Sequence, residues 1–179
     1  MNILIRQETP ADYPAVASLI QEAYRSVAYS DKKEHLMVER LRKSSAFIPQ
    51  LSLVAQADTD ELVGHILFTK LHIQDGHQHF PGLALAPLSI PPTFQQQGIG
   101  GQLIGAGHRI AHGLGYPYCV VLGHATYYPK FGYQRLREYP IELPIQVADK
   151  NKMIIVLAEN GLAGVKGEII YANEFFGEP

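Results

Sequence analysis

The chain has 179 residues, 46% of them hydrophobic and 18% charged, with a formal net charge of −2. That length suits one domain and the apolar content fills its core, while the near-neutral balance argues against a polybasic surface for nucleic acid or an anionic membrane. The single cysteine, Cys119, excludes an internal disulfide and fits a reducing compartment. The apolar start is too short for a secretory signal and no run is long enough to cross a bilayer. The expectation is therefore a cytoplasmic protein with neither a membrane nor a nucleic-acid partner.

Residues 2–7 read as a first strand. Thr9, Pro10 and Asp12 mark a helix start, with Thr9 as N-cap, Pro10 in the first turn and Asp12 at the capping-box position. Val16, Ile20, Ala23 and Val27 then share one helical face. Asp31 and Glu34 open a second helix running to about Lys43. Its apolar residues, Met37, Val38 and Leu41, are few, which predicts a surface position. Residues 51–57 and 62–73 read as strands joined by a turn at 58–61, and Asp75-Gly76 turns the chain toward a strand at 83–90.

A third helix spans about 98–112. Its buried stripe is expected to be Ile99, Leu103, Ala106, Ile110 and Leu114, with Gly113 or Gly115 as its stop. Gly105 and Gly107 weaken it and permit close packing on the sheet. Residues 118–123 form an apolar strand. A polar connection then runs to about Lys150, and strands at 152–158 and 165–171 close the chain. No repeat, low-complexity segment or interdomain linker interrupts this order.

The third helix opens on Gln95-Gln96-Gln97-Gly98-Ile99-Gly100-Gly101, directly after the strand at 83–90. Glycines at a helix start leave unpaired N–H groups open to an anion, and the helix dipole adds positive potential there. The dinucleotide fingerprint fails because Leu103 stands at its third glycine, and a P-loop fails for want of a lysine. What remains, Gln-x-x-Gly-x-Gly, resembles the pyrophosphate-binding motif of the GNAT superfamily of acyl-CoA N-acyltransferases. Downstream, Tyr127, Tyr128, Gly132 and Tyr133 align with that family's second motif. The stretches 51–55, 62–68 and 167–171 look like its YhbS-type branch of predicted acetyltransferases.

The resemblance implies a single α/β (α+β) domain over 1–179, with its core motif at about 83–133 and closing strands at about 152–171. Its central sheet is mixed and mostly antiparallel, with helices on both faces. It implies transfer of an acetyl or other acyl group from acetyl-CoA to a primary amine, by direct attack in a ternary complex without metal or acyl-enzyme. The acceptor is a small molecule or a peptide amine, and a homodimer through the last strands is compatible with the fold. A second reading is a CoA-binding regulatory or interaction module without turnover.

Pro87 removes one ladder donor from its strand. It marks either an ordinary bulge or edge, or a local break in pairing that frees backbone for a ligand. The resemblance implies the second: Leu88, Ser89 and Ile90 hold the pantetheine arm and polarise the thioester, and Gln95, Gln96, Gln97, Gly98, Ile99, Gly100 and Gly101 hold the pyrophosphate. The family often has a basic residue in the glutamine triplet. Here the cradle depends on backbone amides or on Lys130.

Tyr128 is the expected general acid, with Tyr127 as fallback and a merely packed aromatic as the plainer reading. Glu22, Glu34, His65, His72 and His124 are the base candidates. His65, on a central strand that can face the cleft, and His124, at a strand end beside it, lead, and a water chain is the alternative. His108 and His112 have the spacing of a zinc pair but lack the intervening glutamate, so a solvated helix face is expected. His77 and His79 read as loop residues, and Cys119 as an inert core thiol.

Overall fold

The structure, a computed structural model, describes residues 1–177. Positions 178 and 179 of the expected domain lie outside it. The chain runs β1 (Ile3–Gln7), α1 (Tyr13–Tyr24), α2 (Glu34–Arg42), β2 (Phe47–Ala57), β3 (Leu62–Asp75), β4 (Gln78–Ser89), α3 (Ile99–Gly113), β5 (Tyr118–Leu122), β6 (Gln134–Arg135), β7 (Ile141–Glu142), β8 (Lys152–Val156) and β9 (Gly167–Ile170). The strands make one sheet in the order β1-β2-β3-β4-β5-β8-β6, and β9 pairs with β3 and β7. Two pairings, β4–β5 and β7–β9, are parallel and the rest antiparallel. This is the mixed, mostly antiparallel sheet that the family resemblance implied.

Both faces of the sheet are covered, so its strands are apolar runs rather than alternating ones. On one face α3 seats Ile99, Leu103, Ile104 and Ala111 against Leu51, Leu53, Ile66, Phe68 and Leu85. On the other, α1 and α2 pack Val16, Leu19, Ile20, Val38 and Leu41 onto Val54 and Leu67. Farther along that face the carboxy-terminal segment covers Leu71, Ile73, Ala84, Val120 and Ile154 with Leu136, Leu143, Val165 and Ile169.

Several boundaries move. α1 ends at Tyr24, so Val27 lies beyond its face. α2 is no surface helix: Val38 and Leu41 are fully buried because the helix packs against α1 and the turn Asn173–Phe176, in a cluster that also holds Val54 and Leu67 of the sheet. β2 and β4 start earlier than expected, and two short strands, β6 and β7, occupy the polar connection. On α3 the stripe takes in Ile104, Gly107 and Ala111, whereas Leu114 is exposed. The stop is Gly115, at φ +87°. Its N–H donates to His112 O at 3.0 Å and that of Tyr116 to Ala111 O at 3.0 Å, the two bonds of a Schellman cap. Of the two helix glycines, Gly107 alone meets the sheet, where a methyl would overlap the Phe68 ring; Gly105 faces only Arg109.

Candidate acyl-transfer site

β4 changes partners half-way along its length. Ile66 pairs with Leu88, but two residues on Phe68 pairs with Leu85, so β4 carries one extra residue, a bulge at Ala86-Pro87. β5 runs parallel to β4 at Leu83, Ala84 and Leu85, and the pairing stops there. Pro87 has no N–H to continue it. Beyond the bulge, Leu88 and Ser89 stay on the β3 ladder while their other edge opens away from β5. The two readings of Pro87 are thus one: a bulge, and a break in pairing. The result is a gap between Leu88-Ser89 on one side and the end of β5 at Leu122 on the other.

The chain leaves β4 through a 3-10 turn at Pro92–Phe94 and enters α3. Gln96 (φ +61°) and Gly98 (φ +79°) both adopt left-handed backbone, which curls the loop round the helix start. The first bond of the helix runs from Gln102 N–H to Gly98 O at 3.1 Å. The N–H groups of Ile99, Gly100 and Gly101 precede it and have no carbonyl of their own helix to bind. The side chains of Gln95 and Gln97 fold back to donate to Ile90 O (2.9 Å) and Thr93 O (3.2 Å). They brace the loop, in which Gln95, Gln96, Gln97 and Gly98 are exposed while Ile99 and Gly100 are buried. Gly100 and Gly101 face Tyr127 and Phe131, which bring the 3-10 turn Tyr128–Phe131 onto the helix start. The same turn carries the Lys130 ammonium, 5.8 Å from the Tyr127 ring centre.

At the fork of the gap stands Tyr128, 8% exposed, its ring against Gly123 and edge-on to Tyr127 and Tyr133 at 5.2 and 5.6 Å. Burial raises its pKa above the ordinary phenol value, and the phenols of Tyr24, Tyr127 and Tyr29 add to the rise. Tyr24, the last residue of α1, donates its hydroxyl to Leu88 O at 3.1 Å. Tyr29, in the α1–α2 loop, meets His124 at 3.2 Å, ring edge to face, so this loop reaches from the β4 side to the end of β5. The Lys32 ammonium ties the loop to Tyr24 O at 2.8 Å. Glu34, held by the Ser30 hydroxyl, is close enough to Tyr24 to raise its pKa after burial has done most of that. Tyr24 and Tyr29 escaped sequence reasoning because nothing but the fold brings them to Tyr128.

No family model matches the chain. Among solved structures, the GNAT family N-acetyltransferase YhbS from Escherichia coli, in complex with CoA, superposes with a TM-score of 0.87 at 26% identity, covering 98% of this chain and 93% of that one. A GNAT family acetyltransferase from Brucella melitensis, in complex with acetyl-CoA, superposes at 0.79 with 31% identity over 97% of this chain and 98% of that one. The chain belongs to the GNAT family of acyltransferases. A further relative in sequence, the uncharacterized N-acetyltransferase YjhQ of Escherichia coli K12, is 38% identical over 122 residues, 66% of each chain.

Within this GNAT fold the histidines fall differently from expectation. His65 does not face the cleft. It points to the α1/α2 side, fully buried, with Nε2 3.3 Å from Ser52 Oγ and 3.7 Å from Glu8 Oε1. Burial, helped by the Arg42 charge, lowers its pKa to about 3, so it is no base for an amine in the gap. His124 is exposed at the end of β5 beside Tyr29 and keeps its place at the gap. His72 lies on the β3–β4 hairpin, its ring stacked 4.6 Å from that of His79, which is a strand residue and not a loop residue. Glu22 is exposed on α1.

His108 does not belong to a solvated face. Its Nε2 is 2.9 Å from the Tyr133 hydroxyl, it lies edge-on to Phe68, and burial lowers its pKa to about 4. His112 turns instead to Leu157 O, 2.8 Å from its Nδ1, so the two do not converge. Cys119 is buried in β5, and burial pushes its thiol up to about 12, which leaves it inert. Among the described residues no three His, Cys, Asp or Glu side chains group closely enough to hold a metal ion, and no helix is long and apolar enough to cross a membrane.

Proposed function

We propose that this GNAT chain transfers an acetyl group from acetyl-CoA to a primary amine of a small molecule or peptide, by direct attack in a ternary complex. The observation that carries this reading is the line formed by three features: the cradle at Gly98–Gly101, the gap beyond Leu85, and Tyr128 at its fork. The pyrophosphate lies on the unpaired N–H groups of the first turn of α3, and the Lys130 ammonium adds charge there. The pantetheine arm runs along the free edge of Leu88, Ser89 and Ile90. Backbone N–H groups of that edge polarise the thioester carbonyl and hold the oxyanion as the tetrahedral centre forms.

The amine enters under the α1–α2 loop, among Tyr24, Tyr29, Glu34 and His124. His124 takes the ammonium's proton at the open end of the site, and the neutral amine attacks. As the C–N bond forms, the C–S bond breaks and the thiolate takes a proton from Tyr128. The raised pKa of Tyr128 keeps that proton in place at neutral pH. It also makes the tyrosinate left behind a strong enough base to recover a proton from the newly acylated nitrogen. The net movement is one acetyl group to nitrogen, one proton from that nitrogen to sulfur by way of Tyr128, and one proton released to solvent through His124.

The test is Tyr128→Phe, assayed by thiol release over a panel of primary amines. Turnover is expected to fall by ~10²-fold or more, the usual contribution of a positioned acid. Acetyl-CoA affinity, read by calorimetry, stays within about twofold because the ring and its packing are kept. Unchanged turnover in the variant, or no binding of acetyl-CoA by the unaltered protein, overturns the reading.

A further inference from the structure

On the face of the sheet opposite α3, directly behind the gap, lies a buried chain of polar groups that the reaction above does not use. It starts at Glu8, just past β1, whose carboxylate is 1% exposed. Arg42 at the end of α2 grips this carboxylate through Nη2 and, at 3.3 Å, through Nε. The guanidinium is itself clamped over the Tyr13 ring, 3.9 Å from its centre. Ser52 Oγ stands 2.5 Å from Glu8 Oε2 and 3.3 Å from His65 Nε2. At the end of the chain two buried side-chain atoms, His65 Nδ1 and Ser89 Oγ, make no well-formed hydrogen bond among the described residues, although Ser89 lies close enough to the Tyr24 phenol to lower its pKa slightly against the larger effect of burial. His65 and Ser89 are directly opposed in the β3–β4 ladder, so their side chains leave the sheet on the same face, and both residues are fully buried.

The protons on this chain can be counted. A carboxylate paired with an arginine only accepts, so the single Ser52 proton goes to Glu8. Ser52 Oγ is then an acceptor toward His65, and Nε2 must carry the hydrogen. Glu8 Oε1, 3.7 Å from the same nitrogen, favours the same tautomer. A neutral imidazole has one N–H, so Nδ1 holds a lone pair. The one hydroxyl on the opposed residue is that of Ser89, which has a proton to give. An acceptor and a donor, both buried, thus leave the sheet on the same face at one ladder position, where a turn of Ser89 away from the Tyr24 phenol or a single bridging water would join them.

We propose that His65 is a positioning residue for the acyl-binding strand, fixed by Glu8 and Ser52 as the Nε2–H tautomer so that its Nδ1 holds the Ser89 hydroxyl. Ser89 is where such a tie has leverage. Past the bulge, the end of β4 has lost β5 as a neighbour and is held on one side only, by the β3 ladder and by Tyr24 at Leu88 O. The edge that is to present backbone to a thioester needs a second anchor from behind. A proton relay along the chain is the weaker use of these groups, because its far end is a carboxylate occupied by arginine. The inference rests on the reading of Leu88–Ile90 as the acyl-donor edge.

Imidazole ¹⁵N spectra of the unaltered protein test the tautomer without requiring activity. The expected result is a pyrrole-type Nε2 and a pyridine-type Nδ1 that hold from about pH 5 to pH 9, with an Nδ1 resonance that moves in Ser89→Ala. An Nδ1–H tautomer, or an Nδ1 indifferent to Ser89→Ala, overturns the proposal. Acetyl-CoA affinity supplies the functional half. Asparagine can place its amide oxygen near the Nδ1 position, whereas glutamine reaches the Nε2 position. His65→Gln and Ser89→Ala are each expected to weaken acetyl-CoA about fivefold, the double variant no further, and His65→Asn much less, since one hydrogen bond is at stake. Additive losses, or equal losses for the two amides, also overturn it. If the unaltered protein binds no acetyl-CoA while the spectra come out as expected, it is the reading of the reaction that has failed and not the tautomer.

Discussion

At the scale of single residues, the site depends on which side chains are missing as much as on which are present. Gly100 is buried at the start of α3 with the Tyr127 hydroxyl where its side chain would be. Alanine there raises helix propensity by up to about 1 kcal/mol, yet its methyl must displace Tyr127, which borders the cradle and packs edge-on against Tyr128. Gly100→Ala is therefore expected to lower CoA affinity by roughly tenfold, equivalent to ~1.4 kcal/mol, with little change in melting temperature. The cause is specific enough to be reversed. Adding Tyr127→Phe removes the oxygen that the methyl strikes, and calorimetry should then show most of the affinity restored. A double variant no better than Gly100→Ala would mean that the loss comes from the loop backbone and not from the tyrosine. The comparison bears on Tyr127, whose hydroxyl occupies the space beside Gly100, and leaves Tyr128 to its own variant.

At the scale of elements, α2 shows how a short helix can be read wrongly. Nine residues with so few apolar positions look like a surface helix, but Leu41 and Val38 have no exposure at all. Leu41→Ala is expected to cost about 2–5 kcal/mol, the range for buried leucine, whereas Leu36→Ala, at a position 40% exposed, should stay within ~0.5 kcal/mol. Equal midpoint shifts in urea would contradict the packing described for α2. Periodicity revealed α1 and α3 because each carries a full apolar stripe, and the glycine-rich start of α3 was visible because backbone exposure has a composition of its own. Helix burial in α2 was hidden because it depends on the partner surface, Val54 and Leu67, and not on local pattern. β6 and β7, two residues each, have no period to detect. His65 was misplaced for a related reason. When both faces of a strand are buried, alternation no longer says which side a residue serves. The bulge at Ala86-Pro87 then shifts the register at the very end of the strand that matters.

At the scale of the whole molecule, the sheet holds a neutral histidine on each of its faces, and together they set the acid limit of the fold. His65, between the sheet and α1/α2, has its pKa lowered to about 3 by burial and then by the Arg42 charge. His108, between α3 and Tyr133, is lowered to about 4 by burial. In the unfolded chain both return to about 6.5. As pH falls below that value the unfolded state takes up protons that the native state refuses, so stability is intact near neutrality and declines toward pH 4, with His65 continuing to about 3. The slope approaches ~1.4 kcal/mol per pH unit for each proton so withheld. Asp12 acts in a separate, lower window. The Arg6 guanidinium holds its carboxyl well below the usual range, so its contribution is present above about pH 4 and lost only below it. Urea midpoints measured at pH 7.5, 5.5 and 4.5 should therefore fall steadily in the unaltered protein. His65→Asn, whose amide does not titrate, should start less stable at pH 7.5 and then decline more slowly, by close to one proton's worth of slope. Parallel curves for the two proteins would show that His65 is protonated at little cost in the native state. They would mean that bulk solvent reaches the imidazole, where the fold has it fully buried beside Ser52 and Glu8.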